Sequence, residues 1–85
     1  PPPDAAIEAA RRTPAFQEVE RFSQFPLWRV SPAPDLPDGR MVQLSDLRFG
    51  TPSAPAFVAT AILDARLEPV RVWFQWGIAS PTQGR

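Results

Sequence analysis

Asp46 and Arg48 are the most distinctive charged pair of the chain, and they lie two residues apart inside the stretch from Arg40 to Phe49, half of whose residues are apolar. Alternate side chains of a strand point the same way, about 7 Å apart. Three uses are open: the pair could bind a polar ligand, could form ion pairs with each other or with Arg29 or Arg40, or could hold the backbone of a neighbouring loop. We favour the last, a carboxylate that accepts backbone N–H bonds.

The run that contains this pair predicts a central β-strand whose apolar pattern changes phase. Val42 and Leu44 lie two residues apart, and so do Leu47 and Phe49, so each pair belongs to one face of a strand. Leu44 and Leu47 are three apart, so a regular strand would put the two pairs on opposite faces. An extra residue near Ser45-Asp46, a β-bulge, would bring them to the same face and re-aim the charged pair.

Composition removes most other chemistry. The chain has no His, which is the usual general base at neutral pH, and no Cys that could supply a thiolate. All nine of its basic residues are Arg, so there is no Lys to form a Schiff base. Nine acids balance nine bases, which disfavours a nucleic-acid partner. Asp35 and Asp38 lie in a Pro-rich loop without the spacing of a calcium loop and indicate turns. We therefore expect no enzyme activity, cofactor or metal in this chain.

The elements that must position the pair begin with helices over residues 4–24. Asp4 is suited to cap a first helix from Ala5 to about Arg12. Thr13-Pro14 then predicts a second helix, an N-cap followed by Pro in the first turn, which runs to about Ser23 or Gln24. Its apolar stripe consists of Phe16, Val19 and Phe22.

Residues 27–76 predict four strands. Their expected bounds are Leu27–Val30, Arg40–Phe49, Ala56–Leu63 and Val70–Trp76. None of the connections reaches the length of about a dozen residues that parallel pairing needs. The fold class is therefore α+β, an N-terminal helical segment packed on a four-stranded antiparallel meander sheet.

The ends of the chain complete the expected organisation, which is one small domain over residues 1–85. Residues 1–3 are three prolines without an initiator Met, which suggests a linker remnant and a piece excised from a longer protein, or a processed protein. Residues 78–85 look like a flexible tail. The chain has no apolar run of the roughly 20 residues that a membrane helix needs, so we expect no membrane span in it.

The sheet face away from the helices is a candidate interaction face. Val58 and Ile62 belong to it on the third strand, and Trp73 lies between Arg71 and Gln75 on the fourth. A solvated face normally carries more charge, and Trp and Arg are common in binding hot spots. The partner would be a second copy or a membrane-attached part of the same protein. The alternative is an ordinary half-apolar outer face shielded by loops and tail.

Three stretches carry a family resemblance. Residues 21–30 (RFSQFPLWRV), 42–50 (VQLSDLRFG) and 56–64 (AFVATAILD) resemble the C-terminal region of bacterial membrane-bound metal-dependent hydrolase-like proteins, also described as LexA-binding, inner-membrane-associated hydrolases. In that family the proposed metal-binding histidines and acids belong to the membrane portion, and none carries over to this His-free chain. The resemblance implies a divalent metal in the parent protein only.

Two functions follow as hypotheses. The first is a non-catalytic soluble accessory domain of such a protein at the bacterial inner membrane, on either side of it, acting through protein–protein or intramolecular contacts. The second is a small-ligand sensor with an apolar pocket between helix and sheet and with Asp46 or Arg48 at its mouth. That pocket would be lined by Phe22, Trp28, Phe74 and Trp76.

Overall fold

A computed structural model describes residues 3–51, 54–55 and 57–76. Two helices come first, α1 (Pro3–Arg11) and α2 (Pro14–Phe22). The strands are β1 (Pro26–Pro32), β2 (Arg40–Asp46), β3 (Gly50–Thr51), β4 (Ala54–Pro55), β5 (Phe57–Leu63) and β6 (Pro69–Trp76), with a 3₁₀ turn (Leu47–Phe49) after β2. The predicted tail 78–85, the first two residues of the predicted linker and the predicted strand start at Ala56 lie outside the described residues.

The main sheet confirms the predicted α+β meander. Its strand order is β1-β2-β5-β6, and every neighbouring pair is antiparallel. The register aligns Trp28 with Leu44, Leu44 with Ala59 and Ala59 with Phe74, which places these four side chains in one row across the sheet. The sequence did not predict the second sheet, a two-stranded ribbon of β3 and β4 in the connection between β2 and β5.

The core lies between the two helices and one face of the main sheet. From the helices it contains Phe16 and Val19, and from the sheet Val42 and Leu44, all buried. Burying one such side chain contributes about 1.5–3 kcal/mol. On α1 the buried positions are alanines, which let this helix lie close to the strands. Trp28 closes the β1 side with its ring stacked 5.9 Å from that of Phe16.

Thr13 separates the two helices as the sequence predicts. Its side-chain oxygen accepts a hydrogen bond from the N–H of Phe16 (3.4 Å) and donates one to the carbonyl of Ala10 (2.7 Å). The same hydroxyl therefore ends α1 and begins α2. Pro14 follows in the first turn, where its missing N–H costs nothing.

Phe22 is a correction to the predicted apolar stripe, because it is 61% exposed. It is the last residue of α2, and Ser23 caps the helix in an extended conformation. Because the helix ends here, no following turn packs beside the ring. Asp4 also differs from its predicted role as a cap, since α1 begins at Pro3, two residues before the predicted start at Ala5, and Asp4 lies inside the helix.

The predicted bulge in the central strand is wrong. β1 and β2 pair without a register shift as far as Pro26 opposite Asp46, and β2 ends there. The change of apolar phase comes from the 3₁₀ turn that follows, which takes Leu47 out of the ladder. The sheet does have a register shift, but it lies between Ile62 and Leu63 in the pairing of β5 with β6.

Gly39 fixes the end of the loop that leads into β2. Its N–H donates to the carbonyl of Leu36 (2.9 Å), and its own carbonyl accepts from the N–H of Ala33 (3.1 Å). A Cβ at this position would lie 2.7 Å from the backbone oxygen of Leu63. Only glycine allows β5 and this loop to approach so closely.

Gly39→Ala is expected to lower the free energy of unfolding by roughly 1–3 kcal/mol, because backbone must move to admit the methyl group. Chemical denaturation followed by circular dichroism measures the change. Asp35→Ala, an exposed position in the same loop, is the control and should change stability by less than about 0.5 kcal/mol. Equal stability of the two variants would contradict the close approach.

Candidate functional site

The carboxylate of Asp46 is buried at the end of β2 and accepts hydrogen bonds from two other segments. Its Oδ2 accepts from the N–H of Gln24 (3.0 Å), and its Oδ1 from the N–H of Arg48 (3.0 Å). The Arg48 guanidinium also binds Oδ2, through Nε (3.0 Å) and Nη2 (2.8 Å). We call this group of Asp46, Arg48 and the segment from Phe22 to Gln24 the Asp46 clamp.

The clamp extends to the last turn of α2. Nη2 of Arg48 donates to the carbonyl oxygen of Phe22 at 2.8 Å, and a cation near a helix C-terminus is favourable. A backbone bond from the N–H of Leu47 to the carbonyl of Phe25 (3.0 Å) lies beside it. Three segments are thereby joined: the end of α2, the entry to β1 and the 3₁₀ turn after β2.

The clamp keeps Asp46 ionised. Burial alone would raise the pKa of this carboxyl, but the hydrogen bonds and charge of Arg48 and the N–H of Gln24 outweigh it and lower the pKa to about 2. A carboxylate that is ionised at neutral pH has no proton to give, and with a pKa this low and its oxygens buried and engaged by donors it is a poor acceptor of one. Asp46 therefore holds structure rather than acting as a general acid or base.

The favoured use of the Asp46–Arg48 pair corresponds to this geometry, with one difference. The carboxylate does accept backbone N–H bonds, but at a 3₁₀ turn instead of a bulge. Arg48 is its charge partner, while Arg40 donates to the carbonyl of Gly39 at 3.1 Å. The Asp46 side chain has no exposed surface that a ligand could reach.

The second candidate region is the side of the main sheet opposite α1 and α2, which we call the open face. The register places Ile62 beside Arg71 and Thr60 beside Trp73, and Val58 lies on the same side of β5. The structure therefore brings together the four residues of the predicted interaction face. The Arg71 guanidinium lies 4.8 Å from the centre of the Trp73 ring, a cation–π contact.

Thr60 is a further residue of the open face, and its residue type alone did not mark it as a candidate. It is fully buried between Gln43 and Trp73 in the register. Its hydroxyl has no hydrogen-bond partner among the described residues. A buried hydroxyl without a partner costs about 1–3 kcal/mol. Alternation along β5 places it on this face, but sequence does not reveal that neighbours close over it.

Three of the four residues predicted to line a ligand pocket, Phe22, Trp28 and Phe74, do not come together around a pocket. Phe22 and Phe74 are about half exposed or more, and Trp28 packs between the Phe16 ring and the Arg11 guanidinium, 5.1 Å away. The side chain of Trp76 lies outside the described residues. The core fills the space between the helices and the central strands, and a shallow cleft of about 380 Å³ lies between the start of α2 (residues 13–15) and β6 (residues 69–72), away from the predicted lining residues Phe22 and Trp28.

Arg11 is an ion-pairing residue that the sequence analysis did not single out. It pairs with Glu8 of its own helix (2.7 Å) and with Glu20 of α2 (3.0 Å) while its guanidinium covers Trp28. The pair with Glu8 has the i,i+3 spacing that a helix surface favours. The pair with Glu20 depends on how the helices pack, which no local pattern gives.

No group of three or more His, Cys, Asp or Glu is arranged to hold a metal ion within residues 3–51, 54–55 and 57–76. Over the same residues, no helix has the length and apolar character needed to cross a membrane.

Comparison with protein families identifies a match over most of the chain. A family model described as the YfhP C-terminal alpha/beta plait domain matches residues 5–82, a range that includes the Asp46 clamp and the open face. No curated protein matches the chain, and no solved structure does. The description supports the α+β fold and a small C-terminal domain. It does not mention a membrane-bound hydrolase, so that part of the resemblance stays a prediction.

The clamp predicts a loss of stability in acid. Between the unfolded-state pKa of 3.8 and the folded-state pKa of about 2, the unfolded chain binds more protons, so stability falls as the pH is lowered through this window. We expect the ionised Asp46 to contribute on the order of 1 kcal/mol to the free energy of unfolding. This is less than the pKa shift alone implies, because solvent close to so small a core screens the charges.

Asp46→Asn isolates this contribution. The variant should be less stable at pH 7 by roughly 2–4 kcal/mol, because Arg48 and two N–H groups lose a charged acceptor. The difference from the wild type should shrink between about pH 4 and pH 2. Urea denaturation at each pH measures it, with the exposed Asp35→Asn as control. A difference independent of pH would contradict a buried ionised carboxylate.

Proposed function

The chain belongs to the family of YfhP C-terminal alpha/beta plait domains, and on this basis we propose that it is a non-catalytic accessory domain that acts by contact through its open face. The observation that carries the proposal is the stacking of Arg71 on Trp73 on the side of the sheet away from both helices. Stacking holds both side chains in place before a partner arrives, which lowers the entropic cost of binding.

The composition of the open face supports this use. Val58 is buried, so the part of the face that a partner can reach consists of Ile62 and Trp73, both partly buried, with the exposed Arg71 cation beside them. Trp and Arg are the residues most enriched in binding hot spots. Gln43 and Thr60 are uncharged polar residues that lie side by side on this face.

The non-catalytic part of the proposal is supported by the bonding of the polar groups and by the residue types present. Asp46 is ionised, buried and engaged by four donor contacts within the clamp. The chain has no His, Cys or Lys to act as a base or nucleophile. A filled core occupies the place where a ligand pocket would separate the helices from the sheet.

The context we propose is a membrane-bound, metal-dependent hydrolase-like protein of the bacterial inner membrane, with this domain contacting its membrane-embedded portion. The support is the resemblance of residues 21–30 and 42–50. These stretches form the end of α2, β1 and the part of β2 that leads into the clamp. In this proposal the divalent metal and the hydrolytic chemistry belong to the parent protein.

Single-cysteine labelling tests the contact surface, since the chain has no Cys of its own. Gln43→Cys reports on the open face, and Gln17→Cys, on the exposed side of α2, is the matched control. In the complete parent polypeptide, maleimide should react with Cys at position 43 about tenfold more slowly than in the 85-residue chain. A tenfold difference corresponds to a contact free energy of ~1.4 kcal/mol.

The control position should react at similar rates in both proteins. Circular dichroism establishes that the 85-residue chain is folded before the rates are compared. Equal labelling of position 43 in the two proteins would contradict contact through the open face, and slower labelling at position 17 alone would assign the contact to the helices.

A further inference from the structure

We infer that the partner of the open face is an acidic protein segment, whose carboxylate pairs with Arg71 while a neighbouring apolar side chain packs on the partly buried Ile62 and Trp73. The inference rests on the proposed function and deepens it, because it states the chemistry of the partner that the open face binds. It follows from the charge of the face, from the geometry of Arg71 and from a buried hydroxyl that has no hydrogen-bond partner among the described residues.

The charge of the open face is positive although the chain as a whole is neutral. The four strands of the main sheet contain a single acidic residue, Asp46, and the clamp buries it. Alternation along these strands gives the open face two cations, Arg29 of β1 and Arg71 of β6, and no acid. Arg29 already has an interaction within the chain, so Arg71 is the cation that a partner meets. A patch of one sign favours a partner of the opposite sign.

Arg71 has the geometry to hold a carboxylate. The residue is exposed, and its guanidinium lies over the Trp73 ring at 4.8 Å. Stacking uses the flat face of a guanidinium, whereas its N–H donors point outwards in the plane of the group and match the two oxygens of a carboxylate. Within the residues that the structure describes, Arg71 has no ion pair. The ring therefore orients the cation while its donors remain for a partner.

The Thr60 hydroxyl is a second, independent reason to place a partner here. It is buried in the same row as Gln43 and Trp73, and it has no hydrogen-bond partner among the described residues. Buried polar groups without a partner are rare in folded proteins. Gln43 is a long side chain that is only partly buried, so a segment that displaces it reaches the hydroxyl and supplies the missing bond. The hydroxyl is then unpaired only in the free domain.

The charge pattern also argues against two other occupants. A second copy packed face to face would set two surfaces of the same sign against each other, and like charges oppose association. A nucleic acid is bound mainly through several Lys and Arg contacts with phosphates, whereas this face offers Arg71 beside an apolar surface. An acidic protein segment fits both the cation and the apolar side chains next to it.

Charge reversal tests the inference in the complete parent polypeptide carrying Gln43→Cys. Adding Arg71→Glu should raise the maleimide labelling rate to within about twofold of that in the 85-residue chain, because like charges then oppose the contact. Arg12→Glu, the same change at an exposed position beside the helices, should leave labelling slow. Slow labelling that persists with Arg71→Glu, or that nuclease treatment abolishes, would overturn the inference and leave contact through the open face intact. Fast labelling of the parent without any charge change would overturn both.

Carbodiimide coupling locates the carboxylate and does not depend on the stability of the charge-reversal variant. The chain has no Lys, so Arg71→Lys introduces a unique side-chain amine into it and keeps the positive charge. A water-soluble carbodiimide joins an amine to a carboxylate in contact with it, and mass spectrometry identifies the joined peptides. In the complete parent polypeptide, position 71 should be joined to an Asp or Glu outside the 85 residues, and Arg12→Lys should give no such product. Slow labelling at position 43 without a product at position 71, or with one confined to the 85 residues, would overturn the inference.

Discussion

The buried carboxylate of Asp46 is the constraint from which the arrangement of this small domain follows. An ionised group can remain out of water only if donors surround it, and here they come from Gln24 and Arg48. Arg48 in turn reaches the carbonyl of Phe22. Because Asp46 is the last residue of β2, a central strand, the clamp determines where α2 ends, where β1 begins and how the chain leaves the sheet.

Asp46 and Arg48 bind each other and the neighbouring backbone, so this charged pair stabilises the fold. Contact with a partner is left to another surface. Polar groups at the clamp end are engaged by the protein itself, and the helices and sheet enclose a filled core. Among the described residues, the surface left for contact is the open face, where Arg71 stacks on Trp73.

Local signals in the sequence predicted the elements whose causes are local. Thr13-Pro14 marks the boundary between the helices because capping needs only neighbouring residues. Alternation along β5 and β6 sorted Val58, Ile62, Arg71 and Trp73 onto one side. The bulge was wrong because the spacing of Leu44 and Leu47 fits either an extra strand residue or a 3₁₀ turn, and the clamp decides between them. Phe22 is exposed for a related reason, since the same contacts lie at the end of α2.

A double-mutant cycle on Asp46 and Arg48 tests the central claim most directly. The free energies of unfolding of Asp46→Asn, Arg48→Met and the double variant are compared with that of the wild type at pH 7. The two side chains share hydrogen bonds inside one buried network, so we predict a coupling energy of about 1–3 kcal/mol. Losses that add to within about 0.5 kcal/mol would contradict the account, because they would show two independent surface residues instead of one clamp.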